Sequence, residues 1–142
     1  MLKGISPILP PELLKILAEM GHGDEIVIGD CNFPAQSMGK RCVRCDGLRA
    51  TELLDAIMQL FPLDTFVDAP ITLMAVQPGV LEGDPPVWKE YRDIIDKYEP
   101  GFKMQQIERF DFYDRAKNAY ATVATTERAF YACLILKKGC LV

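Results

Sequence analysis

Apolar side chains recur at helical spacing in three parts of the chain. The first predicted helix runs from Pro11 to Met20, because prolines favour a helix start and Gly21 favours its end. The next two cover residues 51–60 and 87–98, and a further helix is predicted over 111–120. The helix over 87–98 carries a stripe that we expect to form core or subunit contacts and not a cofactor site: Trp88, Tyr91, Ile94, Ile95 and Tyr98.

Shorter apolar runs between the helices predict strands. They cover residues 25–30, 41–46, 71–76, 104–110, 121–125 and 132–138. Segments 31–40 and 77–86 contain Pro and Gly and are predicted to be loops. Strands interleaved with helices indicate a layered α/β fold, and the two adjacent late strands make the sheet mixed. We therefore expect one α/β/α domain with a mixed β-sheet over residues 1–142.

The charge composition of the chain limits the kinds of molecule that it is expected to bind. The chain has 142 residues and a net charge of −4, with 16 Lys and Arg against 20 Asp and Glu. This balance argues against a nucleic-acid partner, which requires a basic surface. Met1 is not followed by a basic and apolar leader, and the run from Phe130 to Leu136 is far too short to span a bilayer. We expect a cytoplasmic protein that does not enter the membrane.

Five cysteines include one closely spaced pair, Cys42 and Cys45. A structural zinc site needs about four ligands, and the chain offers neither a second pair nor more than one histidine. The pair lies in a predicted strand, where side chains three residues apart point to opposite faces. We expect ordinary reduced thiols, with no metal and no cofactor.

The only histidine, His22, lies in an acidic turn between Gly21 and Gly23. Histidine is the side chain whose unperturbed pKa lies near neutrality, so His22 is the natural candidate for acid–base chemistry. The alternative is that it only complements the dipole of the preceding helix. The neighbouring acids Asp24 and Glu25 are candidates for orienting the imidazole, although ordinary acids of a capping turn would give the same pattern.

Three further residues are candidates for ligand binding, because ligands of α/β sheets bind beyond the carboxyl ends of strands. Asp30 ends a predicted strand, Arg109 lies near the end of another, and Tyr131 precedes the last. Dinucleotide, phosphate-loop and nucleophile-elbow motifs do not occur in the sequence. Acid–base chemistry on a small polar molecule remains.

Several segments, in register from end to end, resemble the ribose pyranase/fucose mutarotase family. They are Pro11–Lys15, Met20–Glu25, Asp30, Asn32–Ala35, Asp46–Leu48, Ile107–Phe110, Phe112–Tyr113 and Leu136–Gly139. The resemblance implies an isomerase that interconverts the α and β anomers of a free monosaccharide. It implies that His22 is the proton donor and that Asp30 and Arg109 bind the sugar. Arg109 favours the fucose branch, since ribose pyranases tend to carry histidine there.

The resemblance also implies a homo-oligomeric ring of about ten subunits with pockets at the subunit interfaces. We expect four aromatic side chains to supply surface that a partner subunit covers: Trp88, Tyr91, Phe130 and Tyr131. For the Tyr131 ring, stacking on the sugar and packing at an interface are equally open.

One departure from the family pattern falls in the implied pocket. The family has Tyr-Gly-Asn before the last strand, whereas this chain has Tyr131, Ala132 and Cys133 as its substrate-binding candidates. A thiol is a poor substitute for an amide that donates and accepts hydrogen bonds. Either the sugar differs from L-fucose or catalysis is weakened. A non-catalytic sugar-binding or regulatory relative with an altered pocket is the alternative function.

Overall fold

Residues 1–142 are described by a computed structural model in which helices alternate with strands over most of the chain. The elements are α1 (Pro11–Glu19), β1 (Glu25–Gly29), α2 (Ala35–Met38), β2 (Cys42–Cys45), α3 (Ala50–Met58), β3 (Ile71–Met74), α4 (Pro86–Tyr98), β4 (Met104–Ile107), α5 (Arg109–Asn118), β5 (Ala121–Thr125) and β6 (Leu134–Lys137). Each predicted helix and strand is present, with ends shifted by a few residues.

The six strands form one sheet in the order β2-β5-β1-β6-β3-β4. Strand β6 lies between β1 and β3 and runs antiparallel to both, whereas the other neighbouring strands are parallel. The predicted mixed sheet is therefore confirmed. Because β6 is reversed, the loop that enters it lies beside the carboxyl ends of β1 and β3.

Alternating side chains of the strands divide the core into two layers. Ile26 and Ile28 of β1 belong to a cluster with apolar residues of α1, α3 and α4. Val27 belongs to a second cluster on the other face, together with residues of α2 and α5. This alternation is the period of two expected of a strand buried on both faces. It confirms the predicted α/β/α layering.

Two predicted boundaries were wrong in the region of the candidate residues. Segment 31–40 contains the single-turn helix α2, closed by the Gly39 N–H donating to the Ala35 carbonyl at 3.0 Å. Strand β4 ends at Ile107, and Arg109 is the first residue of α5. The Glu108 carboxylate accepts the N–H of Phe110 at 2.8 Å, so it caps the helix N-terminus there.

The aromatic stripe of α4 packs inside the subunit. Trp88 and Tyr91 are buried in the larger core cluster, so the expectation that they offer surface to a partner was wrong. The aromatic rings that remain exposed are those of Phe66, Phe110 and Phe130. None of the helices is long and apolar enough to cross a bilayer.

Cys42 and Cys45 pack against opposite faces of the sheet, as their spacing predicted. Burial raises the pKa of Cys45 to about 11, which keeps that thiol protonated near neutral pH.

Candidate active site

A cavity of about 320 Å³ opens at the carboxyl ends of β1 and β3. Its walls come from the loop after β1, the loop after β3, helix α5 and the loop before β6. The lining residues are Asp30, Asn32, Phe33, Met74, Gln77, Val80, Arg109, Tyr113, Phe130, Tyr131 and Cys133. This volume is at the small end of the range for ligand pockets, about 300–1,000 Å³. The cavity combines apolar walls with a carboxylate and a guanidinium group.

Asp30 directly follows β1 and brings the carboxylate to the cavity. Its Oδ1 accepts the N–H of Asn32 at 3.0 Å, a short-range turn that fixes the side chain. Its own N–H donates to Sγ of Cys133 at 3.4 Å. Burial raises the pKa of Cys133, so the thiol is neutral. The remaining carboxylate lone pairs are suited to accept hydrogen bonds from hydroxyl groups.

Arg109 and Tyr113 form the α5 side of the cavity. The Arg109 Nε–H donates to the Tyr113 hydroxyl at 3.2 Å, and the guanidinium carbon lies 5.3 Å from the centroid of that ring. Arg109 is therefore oriented by its own helix, through a residue four positions later. Arg109 is exposed, and the guanidinium N–H groups other than Nε–H are available to donate to a ligand.

Of the three residues before β6, two line the cavity and one does not. Tyr131 and Cys133 are at its wall, and the Tyr131 hydroxyl accepts the N–H of Gln77 at 3.2 Å. Ala132 is fully buried in the larger core cluster. Cys133, the next residue, belongs to the smaller cluster on the other face of the sheet, so the Ala132 methyl and the Cys133 thiol face opposite sides. The Ala132 side chain therefore does not line this cavity, and the assignment of Ala132 to sugar binding stays a prediction.

His22 lies away from this cavity. It precedes β1, whereas Asp30 follows it, and β1 spans about 13 Å at 3.3 Å per residue. Within one subunit, His22 therefore does not join Asp30, Arg109 and Tyr131 at the cavity, and its role in the same site stays a prediction that involves a neighbouring subunit. The predicted strand over 25–30 already implied this separation, because a strand places its two ends a full strand length apart.

The imidazole is paired with a carboxylate at its own end of the sheet. Nε2 of His22 lies 3.0 Å from Oδ1 of Asp64, and the ring centroid lies 5.2 Å from that of Phe66. Asp64 is 3% exposed, and its Oδ1 also accepts the Phe66 N–H at 2.9 Å. That backbone hydrogen bond, and secondarily the one to His22, lower the pKa of Asp64. Asp64 is thus a fixed anion.

The two acids expected to orient the imidazole have other partners. Asp24 accepts the N–H of Gly21 at 2.7 Å, which closes the turn. Glu25 pairs with Arg115, which also donates to Thr72 at 2.8 Å. Neither carboxylate contacts His22 by a hydrogen bond, so their proposed orienting role was wrong.

The end of β6 forms hydrogen bonds with both segments that carry the His22–Asp64 pair. The Gly23 N–H donates to the Lys138 carbonyl at 2.8 Å, and the Asp64 N–H donates to the Lys137 carbonyl at 3.1 Å. Nζ of Lys138 also donates to the carbonyls of Leu17 and Met20, at 2.7 and 2.6 Å, at the end of α1. Backbone hydrogen bonds therefore attach both residues of the pair to the end of β6.

Asp64 is the functional candidate that sequence reasoning missed. It is 42 residues from His22, so no local spacing connects the two. A signal was nonetheless present, because Asp64 interrupts the apolar run Phe61–Phe66. A carboxylate in such a run is expected to be buried, and a buried charge needs partners.

The arrangement separates two chemical capacities. The cavity can bind a small polyhydroxylated molecule, because it offers acceptors, donors and apolar walls. The His22–Asp64 pair at the other end of the sheet can transfer a proton. Asp64 contacts Nε2 of His22, so Nδ1 remains available to an external partner, and the His22 side chain is 44% exposed. A carboxylate in this position stabilises the protonated imidazole.

Comparison with known proteins gives consistent matches over the whole chain. The RbsD / FucU transport protein family matches residues 3–141. A human fucose mutarotase is 49% identical over 145 residues, covering 99% of this chain and 94% of that protein. A crystal structure of a fucose mutarotase with L-fucose from Streptococcus pneumoniae superposes with a TM-score of 0.94, at 47% identity, covering 99% of this chain and all of the other. FucU from Bifidobacterium longum gives 0.94 at 50% identity over the same shares.

Proposed function

The chain belongs to the RbsD / FucU family, and we propose that it is a sugar mutarotase that interconverts the α and β anomers of a free monosaccharide. L-fucose or a closely related sugar is the proposed substrate, supported by similarity to the human fucose mutarotase and to the Streptococcus pneumoniae protein in complex with L-fucose. Residues 1–142 form the single mutarotase domain of this proposal.

The proposed reaction transfers protons and breaks and re-forms one bond of the sugar ring. A proton is added to the ring oxygen while the anomeric hydroxyl gives a proton to water, and the bond between the anomeric carbon and the ring oxygen breaks. The resulting aldehyde recloses when the hydroxyl attacks its other face. Positioned acid–base catalysis contributes about 10²–10⁴-fold, which is sufficient for a reaction that already proceeds in water. The proposal therefore includes neither metal nor cofactor.

The sugar is held in the cavity and the proton comes from His22. Asp30 accepts hydrogen bonds from sugar hydroxyls, Arg109 donates to others, and the ring of Tyr131 packs against the sugar. Cys133 forms part of the cavity wall beside Asp30, to which it is hydrogen-bonded at 3.4 Å. His22 donates the proton and takes it back, while Asp64 fixes Nε2 and stabilises the imidazolium.

The observation that carries this proposal is the separation of the cavity from the His22–Asp64 pair. A complete site requires both, and a neighbouring subunit can bring them together if its His22 end meets this cavity. Phe66 beside His22 is 78% exposed, and Phe130 at the cavity rim is 75% exposed, so apolar surface is available at both ends. Such an interface joins two different surfaces and closes into a ring by rotation. We propose a ring of about ten subunits, located in the cytoplasm.

Saturation-transfer NMR on free sugars tests the proposal directly. Irradiating the anomeric proton of one anomer should reduce the signal of the other only when the enzyme exchanges them. L-fucose, D-ribose and a set of other hexoses should be compared at equal concentration. Exchange of L-fucose at enzyme-dependent rates is the expected result. Binding of a sugar without exchange of its anomers would instead support the non-catalytic sugar-binding function, which the cysteine at position 133 favours.

A further inference from the structure

Tyr131 is the only non-glycine residue of the chain with a positive φ, at 53°. Residues with a side chain rarely adopt this left-handed conformation, because Cβ approaches the carbonyl oxygen too closely. Such a conformation persists only where the surrounding structure enforces it. Tyr131 also lines the cavity, so the strained backbone lies at the proposed sugar site.

Two side chains of α4 donate hydrogen bonds to the backbone at this point. The Trp88 Nε1–H donates to the Tyr131 carbonyl at 2.8 Å, and the Tyr91 hydroxyl donates to the Ala132 carbonyl at 2.7 Å. Both aromatic rings are buried. A buried carbonyl that loses its donor is costly, so these bonds restrain two consecutive peptide units. Burial, more than any nearby charge, raises the pKa of Tyr91 and keeps its hydroxyl a donor.

We propose that Trp88 and Tyr91 are positioning residues for the sugar reaction, which hold Tyr131 in its left-handed conformation and thereby set the shape of the binding cavity. This inference rests on the proposed mutarotase function. It assigns the aromatic stripe of α4 a role beyond packing. Neither side chain lines the cavity, so both act through the backbone of residues 131 and 132.

The cavity depends on this backbone at two points. The Tyr131 hydroxyl meets the Gln77 N–H at 3.2 Å, which connects the loop before β6 to the loop after β3. Two residues later, Cys133 accepts the Asp30 N–H at 3.4 Å. A relaxed backbone at 131 and 132 would displace both contacts. His22 and Asp64 lie at the other end of the sheet and would be unaffected, so sugar binding should suffer more than the proton transfer.

The test compares two substitutions on the same helix that each remove one hydroxyl group. Tyr91→Phe deletes the donor to Ala132. Tyr98→Phe is the matched control, because the Tyr98 hydroxyl donates to Asp55 at 3.0 Å and neither residue lines the cavity. KM and kcat for anomer exchange should be measured for both, together with crystal structures that give φ at residue 131.

Tyr91→Phe should raise KM about two- to thirteenfold, the equivalent of one neutral hydrogen bond, with kcat within about twofold of wild type. In its crystal structure, residue 131 should leave the left-handed region or become disordered. Tyr98→Phe should change neither quantity. An unchanged KM together with an unchanged φ in Tyr91→Phe would overturn the proposal and leave Tyr91 a core residue.

A double substitution tests whether Tyr91 acts through Tyr131. Glycine adopts positive φ without strain. Tyr91→Phe in a Tyr131→Gly background should therefore shift KM by less than about twofold, and a full additive effect would contradict the proposal. If Tyr91→Phe does not fold, Trp88→Phe decides by the same measurements. Should the wild type exchange no sugar, the proposed function fails, while the crystallographic comparison still decides whether α4 enforces the conformation of Tyr131.

Discussion

Replacement of Asp64 by Asn is the sharpest test of the His22–Asp64 pair. Asn has nearly the same shape as Asp and keeps a carbonyl oxygen that can accept the Phe66 N–H, now 2.9 Å from Asp64 Oδ1. It removes the negative charge that faces Nε2 of His22 at 3.0 Å. The substitution therefore leaves the packing intact and changes only the electrostatic support of the imidazolium.

The expected magnitude follows from the exposure of the two partners. A hydrogen bond to a charged group contributes about 1.5–3 kcal/mol. Asp64 is buried, but the His22 side chain is 44% exposed, so water screens part of the interaction and the lower half of the range applies. About 1.5–2 kcal/mol corresponds to a decrease in kcat of about 10- to 30-fold. The sugar is bound at the cavity, so KM should change little.

The assay is anomer exchange measured by saturation transfer on wild type and variant. Asp24→Asn is the matched control, because Asp24 is also an acid beside His22 but bonds only the Gly21 N–H, at 2.7 Å. It should exchange the sugar within about twofold of wild type. Combining Asp64→Asn with His22→Gln should reduce exchange no further than His22→Gln alone, since the two side chains act as a unit.

A catalytic role of the His22–Asp64 pair is refuted if Asp64→Asn folds, melts near the wild-type temperature and exchanges sugar within about twofold of wild type. The pair would then be a structural contact at the end of β6. A decrease as large in Asp24→Asn would also contradict it, because acidic charge near His22 in general, and not the bond to Nε2, would then matter.

Four further results are expected. His22→Gln should lose most exchange while staying folded and assembled, and exchange within a few-fold of wild type would make His22 structural. Cys133→Asn should tighten L-fucose binding about two- to thirteenfold, because the amide adds a donor and a stronger acceptor beside Asp30; weaker binding would show that Cys133 suits another sugar. Phe66→Asp should shift sedimentation from a ring of about ten subunits to smaller species and reduce exchange, whereas a wild-type monomer at micromolar concentration would refute the shared site. The wild type should lose stability as the pH falls below about 4, because the pKa of Asp64 is lower in the folded than in the unfolded protein. The stabilisation from the Asp64 carboxylate is complete only above the unfolded pKa, and Asp64→Asn should lack this component in acid unfolding curves.

Much of the site could be predicted from local pattern. The apolar run before Asp30 indicated a buried strand, and the carboxyl ends of such strands are where loops carry ligand-binding groups. Asp30, Arg109, Tyr131 and Cys133 do meet at one cavity. Their convergence follows from strand direction, because the carboxyl ends of the parallel strands and the start of the antiparallel β6 lie at one edge.

The partner of His22 could not be predicted in the same way. The periodicity of apolar residues indicates whether a side chain is buried, but it does not indicate which distant residue that side chain contacts. Asp64 reaches His22 because the segments that carry them both hydrogen-bond to the end of β6, at Lys137 and Lys138. The separation of His22 from Asp30 was predictable, because the predicted strand over 25–30 lies between them, whereas the identity of the partner was not.

The sequence by itself determined the layers of this protein, because the pattern of apolar side chains along each strand and helix indicates which of its faces are buried. Tertiary structure alone decided the conformation of single residues. The sequence identifies Trp88 and Tyr91 as apolar positions of a helix, yet their N–H and O–H groups bind carbonyls more than 40 residues away. A left-handed tyrosine is unfavourable in isolation and exists here only because these long-range bonds form together with the packed core.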